Sequence, residues 1–457
     1  MNTQYFSLLG LALLATFSTA FANPPHSETS ARTQPAAVKG ADTDAEITAL
    51  EKAAKAPDAG AAAWIRLANA HMQKTRDTLS HDFSAADKAY SKALEIDPNS
   101  SEAMVGMAWV KNSEHNFSEG KKWAEKVIAI NPKHQDAYAL LGDIAVELGK
   151  YDEAYDHYQA ALDIRADLSS YARAAHLLWL TGDVSQAQIL MKKAIVSGGP
   201  YPENVAWCRA ELALMQFHSG ALAAAETEAR AALEAAPKNP RCLTIMARVL
   251  AAKGETVLAI ELYEKSAAIS PSHEALAALV DLHKLQGNEA GAKVWFDRVL
   301  AYHGKEKEHF HGKAHAHGKH HHHETHGHEH QASEELALFL ADHDHRLEEA
   351  VREVEKVYET YQSIKVENAA AWCYYKTGNP RKARLFIDRA MKWETRDASI
   401  LYRGGMIYLK LGDGQKARDL LSQAVSLNPN FHPVHSKTAK DTLASLASQP
   451  KKKEAGE

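Results

Sequence analysis

The sequence predicts an all-α solenoid of about ten stacked helical hairpins. Three observations carry the prediction: a small residue that returns at a nearly constant spacing, a glycine or proline at fixed points within each period, and apolar residues at helical spacing between them. The stretch 137–164, AYALLGDIAVELGKYDEAYDHYQAALDI, shows the unit. Tyr138, Leu141, Gly142 and Ala145 share one helical face, Gly149 interrupts the pattern, and Ala154, Tyr158 and Ala161 mark the face of a second helix. Two short antiparallel helices cannot bury their apolar stripes alone, so such units are stable only when copies stack and share a core.

The counterpart of Ala154 recurs at Ala86, Gly120, Ala187, Ala225, Ala259, Ala292, Ala350, Ala383 and Ala417. The spacings along the ten positions are 34, 34, 33, 38, 34, 33, 58, 33 and 34. A side chain larger than methyl there would hold the two helices of a hairpin apart, whereas the apolar residue four places on (Tyr90, Tyr158, Met191, Tyr263, Phe296, Ile387, Leu421) fills the space between repeats. Pro98, Pro132, Pro237, Pro271 and Pro429 follow the small residue by twelve positions, where proline ends one helix and opens the next turn.

These positions resemble the tetratricopeptide repeat (TPR) family, whose pattern the 135–168 copy follows nearly throughout. Gly120 departs from the family's alanine, Gly404-Gly405 stands for Leu-Gly, and proline is missing after the third, fourth, eighth and ninth copies. The resemblance implies a right-handed α-solenoid of just over one superhelical turn, with the first helices of the hairpins lining a concave groove. Repeats eight to ten (ALFLADHDHRLEEA, ENAAAWCYYKTGNPRKARLFIDRAM, SILYRGGMIYLKLGDGQKARDLLSQAVSLNPNF) are similar to the C-terminal repeats of exported bacterial TPR proteins of unassigned function. That resemblance implies an envelope setting, not an activity.

In chain order, residues 1–22 read as a secretory signal peptide: an apolar run from Phe6 to Phe17 is followed by small Ala20 and Ala22 flanking one residue. The expectation is an exported protein of the bacterial periplasm or cell envelope, with no membrane span in the mature chain. Residues 23–41 are a Pro/Ala/Ser/Thr spacer, 42–60 a capping helix, 61–302 repeats one to seven, and 333–431 repeats eight to ten. A closing helix is expected within 432–447 and a polar tail at 448–457. Cys208 and Cys242 occupy equivalent places in consecutive repeats, roughly 8–10 Å apart on neighbouring helices. That is too far for a disulfide, so they read, with Cys373, as free buried thiols.

The spacing of 58 marks an insertion, 303–332, HGKEKEHFHGKAHAHGKHHHHETHGHEHQA, expected to be a disordered loop between the seventh and eighth hairpins. It holds twelve of the chain's 26 histidines. His309, His311, His315, His317, His320, His321, His322, His323, His326, His328 and His330 form HxH pairs and a tetrad that would gather Zn(II), Ni(II) or Cu(II). No cofactor is required by anything else in the chain. The same imidazoles would also charge together near pH 6.5, so an acid-sensing role stays open.

No HExxH, GxSxG, GxxxxGK or Cys-X-X-Cys motif is present, and no enzyme is expected. Asp342-His343-Asp344-His345 falls where the eighth hairpin turns and reads as a solvated turn. A net charge of −5, with 53 basic and 58 acidic residues, gives no reason to expect a nucleic-acid partner. On the family register, the concave wall includes Trp109, His176, Trp179, Trp207, Leu214, Phe217, Trp372, Tyr375, Tyr402 and Met406. Such an aromatic wall fits a protein or peptide partner. The expected function is a non-enzymatic interaction scaffold, with metal buffering or delivery through the histidine-rich loop as the alternative.

Overall fold

The computed structural model describes residues 43–78, 82–198, 202–314 and 333–448. These form 22 helices and no strand. Hairpin 1 pairs Ala61–Thr78 with Ser84–Ile96, hairpin 2 Ser101–Ser113 with Phe117–Ile130, and hairpin 3 Gln135–Glu147 with Tyr151–Ile164. Hairpin 4 pairs Leu168–Leu180 with Val184–Ser197, hairpin 5 Pro202–His218 with Leu222–Ala235, and hairpin 6 Pro240–Ala252 with Thr256–Ile269. Hairpin 7 pairs His273–Leu285 with Glu289–Ala314, and hairpin 8 Glu334–Asp342 with Leu347–Thr360. Hairpin 9 pairs Ile364–Lys376 with Pro380–Ala390, and hairpin 10 Ala398–Lys410 with Gly414–Leu427. Thr43–Ala54 precedes the stack and His435–Ser448 follows it, both packed on their neighbours as caps. The signal-peptide and spacer segments and the polar tail after 448 lie outside the described residues.

Local chemistry places the helix starts. Ser100, Asn116, Asp183, Ser272, Ser333 and Asp413 each accept a first-turn backbone N–H, and Asp167 with Ser170 forms a capping box. The small residues of the repeat are fully buried, as the packing argument requires. At Gly120 even a methyl would meet the Ala108 carbonyl at 3.3 Å. Tyr90 and Tyr158 lie across Gly106 and Gly142, where a Cβ would stand 2.2 and 2.3 Å from the rings. The three cysteines are buried and free, and burial pushes Cys208, Cys242 and Cys373 up to about 12, 11 and 12.

The second superhelical turn sits directly on the first. The hairpin turns of hairpins 3, 4 and 5 carry Gly149, Gly182 and Gly220, all with positive φ. A Cβ on them would lie 2.3, 2.5 and 2.3 Å from the carbonyl oxygens of Gln362, Glu394 and Leu427. The Ile364 N–H donates to the Tyr151 hydroxyl (3.0 Å), the Thr395 hydroxyl to the Leu180 carbonyl (2.7 Å), and Asn428 Nδ2 to the Phe217 carbonyl (2.7 Å). Phe117 meets Tyr361 and Tyr151 meets Trp393 edge-on, at 5.5 and 5.4 Å. One hydrophobic cluster joins Ala145, Tyr151, Leu177 and Leu180 of hairpins 3 and 4 to Ile364, Tyr374 and Ile387 of hairpin 9.

The histidine-rich insert begins differently from expectation. The second helix of hairpin 7 continues through residue 303 to Ala314, and His303 is buried. Residues 315–332 lie outside the described residues. Close helix-to-helix packing links every other consecutive pair of hairpins, whereas between hairpins 7 and 8 side chains do the joining. Phe339 of hairpin 8 enters the core of hairpins 5 to 7 and meets Phe296 at 4.9 Å and His273 at 5.9 Å.

Candidate functional site: the inward wall

First helices of successive hairpins touch one another, which places them on the inside of the curve. The wall they form is built from equivalent positions that recur with the repeat. Trp109 of hairpin 2 is followed at that position by Asp143, His176, Leu214, Arg248, Asp281, Phe339, Trp372 and Met406. Aromatic, charged and aliphatic residues thus share one stripe.

The charged members form a ladder between neighbouring first helices. Arg173 Nε donates to Asp143 at 2.8 Å, Arg241 bridges Glu211 and Glu274 at 2.8 Å each, and Arg248 donates to Glu274 at 2.6 Å. Burial alone would raise the Glu274 carboxyl, but Arg248 and Arg241 outweigh it and hold it at about 2. In the last three hairpins Arg403 takes the same role, reaching Asp342 at 3.3 Å and Asn368 at 3.4 Å.

The C-terminal half of the wall carries a second constellation. Trp372 stacks on Tyr375 (4.7 Å), Tyr402 stacks on His435 (5.0 Å), and His435 stacks on His432 (4.2 Å). His432 Nε2 approaches Asp281 at 3.4 Å, His343 Nε2 approaches it at 3.9 Å, and His435 Nε2 approaches Asp342 at 3.5 Å. Burial, then the nearby Asp342 carboxylate, pushes Asp281 up to about 7. Burial, then Lys284, holds His343 down at about 4, and burial with Arg403 holds His435 at about 3. This corrects the reading of Asp342-His343 as a solvated turn. Asp344 is exposed as expected, but Asp342 and His343 face the interior because Asn428–His435 crosses the C-terminal ends of the first helices.

Asn428 and Asn430 anchor that segment on the carbonyls of Phe217 and Ala252, at 2.7 and 3.0 Å. Sequence reasoning saw in it only the repeat-ending Pro429 and the start of a closing helix. It also missed Asp143, Arg248 and Asp281, which the repeat register would have placed beside Trp109 and Trp372.

The ten expected groove residues fall into three groups. Leu214, Phe217, Trp372 and Tyr402 are buried within the fold, and His176, Trp179, Tyr375 and Met406 are half-buried. Trp109 and Trp207 remain 38% and 40% exposed. His176 packs on Trp179, which packs on His218 of hairpin 5. Of the expected metal-binding histidines, His309 and His311 lie on the helix ending at Ala314, with side chains outside the described part. His315, His317, His320, His321, His322, His323, His326, His328 and His330 lie outside the described residues.

Residues 135–168 and 398–431 match the family model of the tetratricopeptide repeat. The chain carries TPR repeats. Over 101 residues it is 28% identical to the small glutamine-rich tetratricopeptide repeat-containing protein 2 of Saccharomyces cerevisiae. That match covers 22% of this chain and only 29% of the relative's length. Among solved structures, the human IFIT1 dimer with m7Gppp-AAAA superposes with a TM-score of 0.50 at 14% identity, covering 77% of each chain. Yeast Tom70 is similar with a TM-score of 0.38 at 13% identity, covering 89% of this chain and 92% of that one. Among the described residues of this TPR solenoid, no helix is long and apolar enough to cross a membrane.

Proposed function

We propose that this TPR protein is a non-enzymatic scaffold of the bacterial cell envelope that holds a protein or peptide partner against its inward wall. The observation that carries the reading is the exposure of Trp109 and Trp207 on first helices, beside a wall in which Trp372 and Tyr402 are buried. Exposed tryptophans on a rigid helical surface are the residues in which binding energy concentrates. The arginines of the wall, Arg173, Arg241, Arg248 and Arg403, are each matched by a carboxylate, which argues against a phosphate backbone as ligand. The envelope location rests on the apolar run and the Ala20/Ala22 pattern of segment 1–22. A second reading, buffering or delivery of Zn(II), Ni(II) or Cu(II), is supported by the density of imidazoles in 303–330.

A photo-crosslinking residue at position 207, compared in living cells with one at Val196 on an outer helix, tests the scaffold reading. Val196 is 87% exposed and serves as the outward control. A discrete adduct at 207 that is absent at 196, and is weakened by Trp109→Ala, is expected. Identical patterns at the two positions would contradict the reading.

A further inference from the structure

We propose that His273, His303 and Glu335 form a transition-metal site on the folded body, at the foot of the histidine-rich segment, which takes Zn(II) or a similar borderline ion. One ligand atom from each residue lies within 4.8 Å of the other two, and this is the one such group among the described residues. His273 opens the first helix of hairpin 7, His303 lies on its second helix, and Glu335 sits in the first turn of hairpin 8. The ligands therefore come from both sides of the sparse junction and from both ends of the insertion. The expected loop ligands included neither His273 nor Glu335.

The geometry is close to what an ion needs. His273 Nδ1 and His303 Nε2 stand 2.9 Å apart, joined by a hydrogen bond, with ring centroids 5.1 Å apart. At Zn–N distances of 2.0–2.1 Å, two tetrahedral nitrogen ligands lie roughly 3.3 Å apart, so the rings need separate by only a few tenths of an ångström. The ring that donates the hydrogen bond shifts its proton to its far nitrogen, and two lone pairs then face the ion. His273 is braced edge-on by Phe339 at 5.9 Å, and His303 is buried, so both imidazoles are held in place. Glu335 retains an exposed side chain that can swing onto the ion, leaving a fourth position to solvent. Two imidazoles and one carboxylate favour Zn(II), Ni(II) or Cu(II) over Mg(II) or Ca(II).

The test separates this site from the nine histidines of 315–330. In the full chain, His315, His317, His320 to His323, His326, His328 and His330 are replaced by serine. Zn(II) binding is then measured by calorimetry, and Co(II) is followed by its visible absorption. About one equivalent is expected to remain, with the spectrum of a four- or five-coordinate cobalt ion. Glu335→Gln, an exposed and isosteric change, should weaken binding at least tenfold with helicity and melting temperature unchanged. His273→Ala should abolish it. Complete loss of binding once the loop histidines are gone, or unaltered affinity in Glu335→Gln and His273→Ala, would overturn the proposal.

Discussion

The hairpin turns of hairpins 3, 4 and 5 and those of hairpins 7, 9 and 10 are built alike and used differently. Gly149, Gly182 and Gly220 adopt positive φ, and so do Gly287, Gly378 and Gly412. A Cβ on any of the first three collides with a backbone carbonyl of the next superhelical turn, whereas nothing lies within 4 Å of one placed on the last three. The same turn chemistry therefore ends a helix in one place and closes the superhelix in another. Closure converts a one-dimensional stack, in which each repeat touches only its neighbours, into a body with contacts between positions as distant in the chain as Tyr151 and Ile364 or Leu180 and Thr395.

The largest expected effect comes from alanine at the docked glycines. Gly378→Ala should cost about 1 kcal/mol, the left-handed strain alone. Gly149→Ala adds a collision that the Gln362 backbone can relieve only by undocking, and the total should reach roughly 3 kcal/mol. Urea unfolding of the two variants measures the difference, and equal losses would mean that the turns do not press on one another. Next in size, Tyr151→Phe leaves the buried Ile364 N–H without its acceptor and should cost about 1–2 kcal/mol. Asn428→Ala should cost a similar amount, about 1–2 kcal/mol. It should also speed amide exchange around Phe217, because the segment it anchors crosses hairpins 5 to 8.

The interior acid–base cluster gives smaller effects that depend on pH in opposite senses. The folded Asp281 carboxyl, at about 7, lies above its free value of 3.8, so its stabilisation is full at low pH and is lost as pH rises through 7. Asp281→Asn should therefore gain stability on the parent progressively between pH 4.5 and pH 7, read by urea unfolding, and hold that gain at pH 8. His435, at about 3, lies below its free value of 6.5, so its stabilisation is full above 6.5 and is lost as pH falls towards 3. His435→Asn should therefore flatten the drop in melting temperature between pH 6.5 and pH 4.5.

Much of the stack was legible because its signals are local and repeated: Ala154 and Tyr158 specify how one hairpin packs, and the period copies that packing. Closure was not legible, since Gly149 and Gly378 carry the same local signal and differ only in what lies across the superhelix. The wall was half legible. Trp109 and Trp207 stand on the inward helices, but Trp372 and Tyr402 are covered by the Phe431–His435 segment, whose sequence shows no helical period. Asp342-His343 looked like a turn because its partners, Asp281, His432 and His435, come from hairpin 7 and from beyond hairpin 10, far from it in sequence.

Amide exchange at Ile364 tests the closed superhelix most directly. Ile364 is the first residue of its helix, where the N–H has no intrahelical acceptor and ordinarily exchanges fast. Its hydrogen bond to the Tyr151 hydroxyl predicts strong protection in the parent and in Gly378→Ala, and fast exchange in Gly149→Ala. Fast exchange at Ile364 in the parent, or the same rate in all three proteins, would contradict the closure.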